Sequence, residues 1–211
     1  MPFVGLDPAG LPFIAGALVA AVVAAVIGSG LGTSLLVALA AFFTFFFRDP
    51  DRHVQAGADD VLAPADGRVL VAGAADATVA PPGAWQQISI FLSPLDVHVN
   101  RIPVSGHVTD VRFQKGRFLP AYHRDAAASN ERSEIWIDHA GRSVVARQVV
   151  GVLARRVVCR VQRGADVRAG DRYGIMKFGS RMDVFVPHDA SLRVHIGETV
   201  RGGQTVIAVL H

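Results

Sequence analysis

An apolar stretch without a charged residue runs from Leu11 to Phe47 and constrains the fold more than any other part of this sequence. It is interrupted once, at Gly28-Ser29-Gly30-Leu31-Gly32. Each half is about 15 to 17 residues long, whereas a helix needs about 20 residues to cross a hydrocarbon core. Two structures are compatible with this pattern: a tight helical hairpin that dips into or crosses a bilayer, and one long tilted helix with a glycine kink. The glycine-rich break favours the hairpin. We therefore expect residues 1–47 to form a membrane-associated helical hairpin.

The flanks of this stretch indicate that it remains in the protein. Residues 1–10 contain no lysine or arginine, and the apolar run is longer than the 7–15 residues of a signal-peptide core. Arg48 and Arg52 follow a cluster of phenylalanines. Positive charge at such an edge is typical of the cytoplasmic side. We expect a cell-membrane location, with residues 48–211 in the cytoplasm.

Charge and cysteine content narrow the possible partners. The formal charge of +3 comes mainly from arginine, since lysine occurs only at positions 115 and 177. No basic run is interleaved with aromatic residues, so the pattern predicts no nucleic-acid partner; an anionic membrane surface fits better. The single cysteine, Cys159, cannot form an internal disulfide and is more typical of core packing than of a nucleophile.

Beyond Pro50 the sequence consists of short apolar runs separated by glycine, proline and aspartate. This pattern predicts an all-β domain over residues 48–211, with one weak helical segment from Ala121 to Glu131. The predicted strands are Val69–Val71, Ile88–Leu92, Val108–Phe113, Ile135–Ile137, Val144–Val152 and Val157–Val161.

Two pairs of sequence echoes refine this prediction. Residues 164–171 and 197–204 share the pattern G-x-x-V-x-x-G, and Pro64-Ala65-Asp66-Gly67-Arg68-Val69 is echoed by Pro103-Val104-Ser105-Gly106-His107-Val108. Glycines of this kind suit tight turns, and the valines are expected to point inward from the adjoining strands. Such units recur in the domains of biotinyl and lipoyl carriers. We expect a compact, pseudo-symmetric β domain of the barrel-sandwich kind.

Two polar residues stand out in separate segments. Asp66 could simply be a turn aspartate. His98 lies in Asp96-Val97-His98-Val99-Asn100, where extended backbone would turn Val97 and Val99 one way and His98 and Asn100 the other. A histidine and an asparagine on one side are typical of a site wall. No closely spaced histidine pair accompanies them, so the pattern predicts no metal site.

Ser180 is the sharpest candidate. A serine hydroxyl needs a base, commonly a histidine oriented by a carboxylate, and Asp66 and His98 supply these types. The G-x-S-x-G motif of α/β-hydrolases is absent. The residue before Ser180 is Gly179, which has no side chain to block attack of the hydroxyl on the preceding carbonyl. The Gly179-Ser180 pair is therefore either an ordinary turn or a bond that breaks itself.

The chain resembles the short, archaeal-type phosphatidylserine decarboxylase proenzymes. The resemblance extends over nearly the whole length and includes the apolar hairpin. The order and spacing of the matching motifs are highly specific: Phe46-Phe47-Arg48-Asp49-Pro50, Pro64-Ala65-Asp66-Gly67, Phe91-Leu92-Ser93-Pro94-Leu95-Asp96-Val97-His98-Val99-Asn100, Asn130-Glu131-Arg132 and Lys177-Phe178-Gly179-Ser180-Arg181.

The resemblance implies a self-processing decarboxylase. Ser180 would attack the Gly179 carbonyl to give an ester, and β-elimination would release a large subunit, residues 1–179. The dehydroalanine left on residues 180–211 would hydrolyse to a covalent pyruvoyl cofactor. Its ketone would form a Schiff base with the amine of phosphatidylserine and withdraw electrons as carbon dioxide leaves. The product would be phosphatidylethanolamine.

The resemblance also implies residue roles. His98 would be the base for Ser180 and could later protonate the decarboxylated carbon, and Asp66 would orient His98. Longer members have a second histidine three residues after the first, where this chain has Arg101. Asn130, Glu131 and Arg132 are expected to contact the substrate or to form a salt-bridged turn.

Two other functions are compatible with parts of the sequence. The segment from Gly170 to Phe178 is similar to the sequence around a biotin-acceptor lysine. In a carrier module of this kind, Lys177 would lie at a hairpin tip. The acidic-Ala-Met-Lys-Met context of such lysines is absent. A membrane-anchored adaptor on the same β domain is the third hypothesis, but it leaves the Gly179-Ser180 pair and the His98 segment unexplained.

Overall fold

The computed structural model describes residues 5–123, 125–152, 157–177 and 180–211. Contacts within the chain divide it into two units, residues 1–51 and 52–211. The first is mainly helical and the second is mainly β.

The apolar stretch folds into a helical hairpin, as predicted. Helix α1 (Leu11–Val26) and helix α2 (Gly30–Phe46) run antiparallel, because the ring of Phe13, near the start of α1, lies 5.5 Å from those of Phe43 and Phe47 at the end of α2. The turn uses Gly28 at φ +77°, and the Ser29 hydroxyl accepts a hydrogen bond from the Gly32 amide at 3.3 Å. A 3₁₀ turn (Pro8–Gly10) and the short strands β1 (Gly5–Leu6) and β2 (Arg48–Asp49) complete this unit.

By length and composition, the segment Pro8–Val26 could cross a membrane, whereas Gly30–Phe46 is a shorter apolar helix. Many of the hairpin's large apolar side chains are exposed, among them Val22, Val26 and Leu31. An exposed apolar surface of this kind is typical of a protein that contacts lipid.

The second unit confirms the prediction of a mainly β fold. Its strands are β3 (Asp60–Leu62), β4 (Gly67–Ala74), β5 (Trp85–Leu92), β6 (Val99–Arg101), β7 (Gly106–Gln114), β8 (Arg132–His139), β9 (Arg142–Val149), β10 (Val157–Cys159), β11 (Asp166–Val167), β12 (Arg172–Met176), β13 (Ser180–Pro187), β14 (Ser191–Leu192), β15 (Thr199–Val200) and β16 (Val206–Val209).

The helix predicted from Ala121 to Glu131 is much shorter, namely α3 (Ala126–Ser129). It ends because the backbone of Asn130 turns to an extended conformation, and the Asn130 side chain is used to tie two other segments together, as described below.

Eight strands form one curled antiparallel sheet in the order β11-β7-β8-β9-β13-β5-β4-β15. Two three-stranded sheets, β10-β12-β6 and β14-β16-β3, accompany it. Alternate residues of the large sheet point to a buried apolar cluster, and we call this side the core face; Ile90, Ala146 and Val184 belong to it. The residues between them form the charged face, where Ser89, Asp183, Arg147, Glu134 and Arg112 lie in register across five neighbouring strands.

The sequence echoes correspond to a structural pseudo-symmetry. At one edge of the large sheet β15 pairs with β4, and at the other β11 pairs with β7, with equivalent residues opposite one another. The Val69 amide donates to the Glu198 carbonyl at 2.9 Å, and the Val108 amide donates to the Ala165 carbonyl at 2.8 Å. The predicted pseudo-symmetric architecture is therefore confirmed at the level of individual hydrogen bonds.

Candidate active site

Ser180 is the first residue of β13, in the middle of the large sheet. Strand β13 lies between β5 and β9, and Ser180 pairs with Leu92 of β5. Because side chains alternate along a strand, Ser180 shares the core face with Met182 and Val184. Its side chain is fully buried, and within the described ranges its hydroxyl has no hydrogen-bond partner. A buried hydroxyl without a partner is costly and therefore marks a candidate reactive position.

His98 is also fully buried, immediately before β6. Its Nδ1 lies 3.0 Å from the carbonyl oxygen of Asp96. Because a carbonyl oxygen only accepts, Nδ1 must carry the proton, and in a neutral ring Nε2 is then an acceptor. The backbone carbonyl of His98 accepts from the Met176 amide at 3.3 Å. The histidine segment is thus bound to the end of β12, four positions before Ser180 in the chain.

An amide pair lies on the same side of the core as Ser180. Gln148 of β9 is opposite Met182 in the register and points to the core face, and its Nε2 donates to Oδ1 of Asn100 at 2.8 Å. Both side chains are buried. The predicted alternation turns His98 the same way as Asn100. The structure therefore brings Asn100, two residues after His98, to the face that bears Ser180.

The amide pair was not recognised from the sequence, although a signal for Gln148 was present. Gln148 is a polar residue at an inward position of β9, where Val144 and Ala146 occupy the preceding inward positions. Such a residue needs a partner or a function. Room for its amide is provided by Gly174. A Cβ at that position would collide with the Val158 carbonyl oxygen and the Gln148 amide nitrogen.

Asp66 has different partners from those that its predicted role requires. Its two carboxylate oxygens accept from Nη1 and Nη2 of Arg52 at 2.6 and 2.7 Å, and one also accepts from the Gly202 amide at 2.8 Å. His98 is not among the hydrogen-bond partners of Asp66 in the described part of the chain. The two side chains of the Arg52–Asp66 pair are 8% and 17% exposed, so the pair is largely buried.

Ser105, the counterpart of Asp66 in the sequence echo, makes the equivalent turn contact. Its hydroxyl accepts from the Ala169 amide at 2.9 Å, just as Asp66 accepts from the amide of Gly202. The turn contact of Asp66 is therefore a property of the repeated fold. What distinguishes Asp66 from Ser105 is its negative charge and the bidentate bond to Arg52.

Gly179, Asn130 and Glu131 were also singled out in the sequence. Gly179, the predicted cleavage partner of Ser180, lies outside the described residues. Asn130 is buried and ties its loop to β9, because its side chain bonds both backbone groups of Leu119 and donates to the Val150 carbonyl. Glu131 makes backbone hydrogen bonds to Arg117 and Val150. Asn130 thus holds its loop through neutral hydrogen bonds, whereas a substrate contact of Asn130, Glu131 and Arg132 stays a prediction.

Arg101 stands at the position where the resemblance implies a second histidine in longer family members. Its side chain is buried and donates to the Gly170 carbonyl at 3.0 Å. Lys177 directly follows β12, which belongs to the sheet β10-β12-β6, whereas β13 belongs to the large sheet. The expectation that Lys177 lies at a hairpin tip, as in a carrier domain, is therefore wrong: the strands on either side of it pair with different neighbours.

The charged face of the sheet has its own cavity, of about 550 Å³. Arg132, Glu134 and Arg147 line it, together with the segment from Thr78 to Pro82. The carboxylate of Glu134 lies 2.9 Å from Nε of Arg147 and 3.5 Å from Nε of Arg132. Burial and the nearby positive charge of Arg147 lower the pKa of Arg132. These residues point away from the core face and therefore from the hydroxyl of Ser180.

The remaining candidates for chemistry are few. Among the described residues, no three histidine, cysteine or acidic side chains are grouped so that they could hold a metal ion. Cys159 packs against the core, and burial raises the pKa of its thiol. A thiol that stays protonated is a poor nucleophile.

Comparison with known proteins identifies the family. The model of the family described as phosphatidylserine decarboxylase matches residues 39–208. A phosphatidylserine decarboxylase proenzyme of Neorickettsia sennetsu is 45% identical over 82% of this chain and 79% of its own length. A protein of the same name from Prosthecochloris aestuarii is 42% identical over 82% and 79% of the two chains. One from Geotalea daltonii is 38% identical over 95% and 94%.

This chain belongs to the phosphatidylserine decarboxylase family. The match covers the whole β unit as far as β16 and the last part of α2. The three relatives are named proenzymes.

Proposed function

We propose that this chain is the precursor of an enzyme that decarboxylates phosphatidylserine to phosphatidylethanolamine and carbon dioxide. Family membership supports the proposal, as does the buried hydroxyl of Ser180, which has no hydrogen-bond partner among the residues that the structure describes. In this proposal the chain first cleaves itself between Gly179 and Ser180 into residues 1–179 and 180–211.

The proposed self-cleavage uses groups of the chain and, in its last step, one water molecule. The Ser180 hydroxyl attacks the preceding carbonyl carbon, and His98 takes the hydroxyl proton through Nε2. The Asp96 carbonyl, bonded to Nδ1–H, holds the ring in the tautomer that this step requires. Loss of the Cα proton of Ser180 and cleavage of its Cβ–O bond would then release residues 1–179 as a carboxylate. Water would convert the dehydroalanine left at the new chain end into a pyruvoyl group and ammonia. Asp66 is proposed to support His98 without a direct bond.

The pyruvoyl group fits this position because its carbon skeleton is that of Ser180 itself. When present, it supplies a carbonyl that forms a covalent bond with the substrate amine and accepts electrons as carbon dioxide leaves. The residues that would hold it are those of β13, whose backbone is bonded to both neighbouring strands. The buried His98 would donate a proton to the substrate carbon.

The two products of cleavage are proposed to remain associated. Strand β13 begins at Ser180 and pairs with β5 over eight residues and with β9 over five. Strand β15 pairs with β4, and β16 pairs with β3. The small subunit, residues 180–211, would thus be an integral part of both sheets, and separating it would expose their shared core.

The apolar hairpin is proposed to anchor the enzyme in the cell membrane, where its lipid substrate resides. Arg48 lies two residues after the end of α2, and its guanidinium carbon lies 4.0 Å from the ring centre of Phe45. Arginine beside an aromatic ring is typical of a membrane edge. With the basic residues on that side, the catalytic unit would be cytoplasmic.

The test is lipid decarboxylation by the full-length protein in detergent, with phosphatidylserine in mixed micelles and phosphatidylethanolamine as the measured product. Wild-type protein should form product, and Ser180→Ala should form none. Ser89→Ala is the matched control, because Ser89 is a buried serine of the adjacent strand that points to the charged face. A Ser180→Ala protein as active as wild type would contradict the proposal.

A further inference from the structure

Three polar atoms on the core side of β13 and β9 are buried without a hydrogen-bond partner among the described residues. They are Oγ of Ser180, Nδ2 of Asn100 and Oε1 of Gln148. The last two belong to the amide pair. A buried polar atom without a partner costs free energy, so three in one layer call for an explanation.

The sheet register places the amide pair beside Ser180. Gln148 is opposite Met182, and Ser180 lies two positions before Met182 on the same face. Gln148 and Ser180 are thus diagonal neighbours on adjacent strands, for which Cα atoms are about 7–8 Å apart. The hydrogen bond of 2.8 Å between Gln148 and Asn100 places Asn100 in the same layer.

The pair has a defined hydrogen-bonding character. Gln148 Nε2 donates to Asn100 Oδ1 and lies 3.4 Å from the Val158 carbonyl oxygen, which can only accept. The orientation of the two amides is therefore the one in which Asn100 has an N–H group to donate and Gln148 has an oxygen to accept. If both side-chain amides were rotated by 180°, the pair would still keep one N–H donor and one oxygen acceptor that are not used within the pair.

The proposed cleavage at Ser180 creates one group that needs a donor and one that needs an acceptor, and these complement the Asn100 N–H group and the Gln148 oxygen. When the hydroxyl oxygen bonds to the preceding carbonyl carbon, the carbonyl electron pair moves to its oxygen, which becomes an oxyanion and needs a donor. Collapse of this intermediate restores the carbonyl and breaks the carbon–nitrogen bond. The Ser180 nitrogen takes up the proton that the hydroxyl released. The new amine then needs an acceptor.

We propose that the amide pair stabilises this acyl shift in the precursor: the Asn100 N–H group donates to the oxyanion, and Gln148 Oε1 accepts from the newly formed amine of Ser180. The inference rests on the proposed self-cleavage and assigns two further residues to it. Gly174 supports the arrangement, because any larger residue would collide with the amide nitrogen of Gln148.

The experiment follows cleavage of full-length precursor made in a short pulse of cell-free translation with detergent, at a temperature well below the thermal midpoint of each variant. Asn100→Leu keeps the side-chain shape and removes the donor, and it should slow cleavage about 100-fold or more, the effect of losing one oxyanion donor. Gln148→Met should slow it about tenfold and serves as the second test if Asn100→Leu does not fold.

Gln87→Met is the matched control. Gln87 is also a buried glutamine, but it donates to Ser89 on the charged face. It should cleave at the wild-type rate even if its thermal midpoint falls. Folded Asn100→Leu and Gln148→Met proteins that also cleave at the wild-type rate would overturn the inference and leave the proposed function intact. Absence of cleavage in wild-type protein would instead contradict the proposed function.

Hydroxylamine distinguishes the acyl shift from the later elimination, because it cleaves the ester formed by the shift but not the amide that precedes it. Wild-type precursor treated during processing should yield fragments that end in a hydroxamate. Asn100→Leu should accumulate no ester and should be insensitive to hydroxylamine. Accumulated ester in this variant would mean that Asn100 acts in elimination, which would overturn its assignment to the shift.

Discussion

On the charged face of the large sheet, arginines are bonded to carboxylates, whereas on the core face the polar groups around Ser180 lack such partners. Arg181 donates to Asp183 at 2.6 Å, Arg147 to Glu134 at 2.9 Å and Arg112 to Asp110 at 2.7 Å. Three atoms of this face, Asp183 Oδ2, Arg132 Nε and Trp136 Nε1, have no hydrogen bond within the described residues. The first two belong to charged groups whose other atoms are bonded, and the Trp136 ring lies 4.8 Å from the guanidinium carbon of Arg112.

The polar groups of the charged face stabilise the fold, whereas those near Ser180 are the groups to which we assign roles in the proposed cleavage. Charges in the interior must be paired, because an unpaired buried charge destabilises a protein strongly. The hydroxyl and amides near Ser180 are neutral, so leaving them unpaired costs less. A self-cleaving precursor requires such groups, since the charges that they stabilise appear only during the reaction.

The largest expected effect on the core face concerns His98. His98→Gln keeps a nitrogen that can donate to the Asp96 carbonyl but removes the base, so cleavage should slow about 10²- to 10⁴-fold. His107→Gln is the control, since His107 is an exposed histidine paired with Asp166 at the sheet edge. Gel analysis of precursor and products measures both rates. Equal rates for folded His98→Gln and wild type would exclude His98 as the base.

A smaller effect is expected at Asp66, where the pseudo-symmetry supplies the comparison. Asp66→Asn removes the charge that neutralises Arg52, and cleavage should slow about tenfold if the carboxylate supports His98. Ser105→Ala removes only the equivalent turn hydrogen bond, worth about 1 kcal/mol, and should cleave normally. The same assay compares the two. If both cleave normally, Asp66 has only the structural role that it shares with Ser105.

The smallest effect on cleavage should come from the charged face. Glu134→Gln breaks buried ion pairs with Arg147 and Arg132, which should lower the free energy of unfolding by about 3 kcal/mol. For a domain of this size the thermal midpoint should fall by roughly 6–12 °C, as measured by differential scanning fluorimetry. Below that midpoint cleavage should proceed at the wild-type rate. Slow cleavage by folded Glu134→Gln would show that the two faces are coupled.

Much of the fold was predictable because it depends on local patterns. The apolar run with its glycine break predicted the hairpin, and the echo of Pro-Ala-Asp-Gly in Pro-Val-Ser-Gly predicted equivalent turns at opposite edges of the sheet. The alternation from Val97 to Asn100 predicted that Asn100 points away from the two valines, and its bond to the inward-facing Gln148 agrees with this. These features involve neighbours in sequence, so periodicity is sufficient.

The partners of Asp66 and the strand pairing on either side of Lys177 depend on contacts between separate segments. The sequence shows Asp66 only as a turn or as a family motif, and the bond to Arg52, fourteen residues earlier, appears only in the structure. The carrier alternative places Lys177 at a hairpin tip, because the segment from Gly170 to Phe178 is similar to the approach to a biotin-acceptor lysine. The flanking strands instead pair with different sheets. Strand pairing between distant segments is not encoded in local patterns, so neither outcome could be predicted from them.

Intact mass measurement of purified full-length protein under denaturing conditions tests self-cleavage most directly. The account predicts two chains, residues 1–179 and 180–211, and a smaller chain that carries a ketone in place of its amino terminus. The Ser180→Ala protein should give one chain of full mass. A wild-type protein that remains a single unmodified chain, while Ser180 and the amide pair are intact, would contradict the central claim.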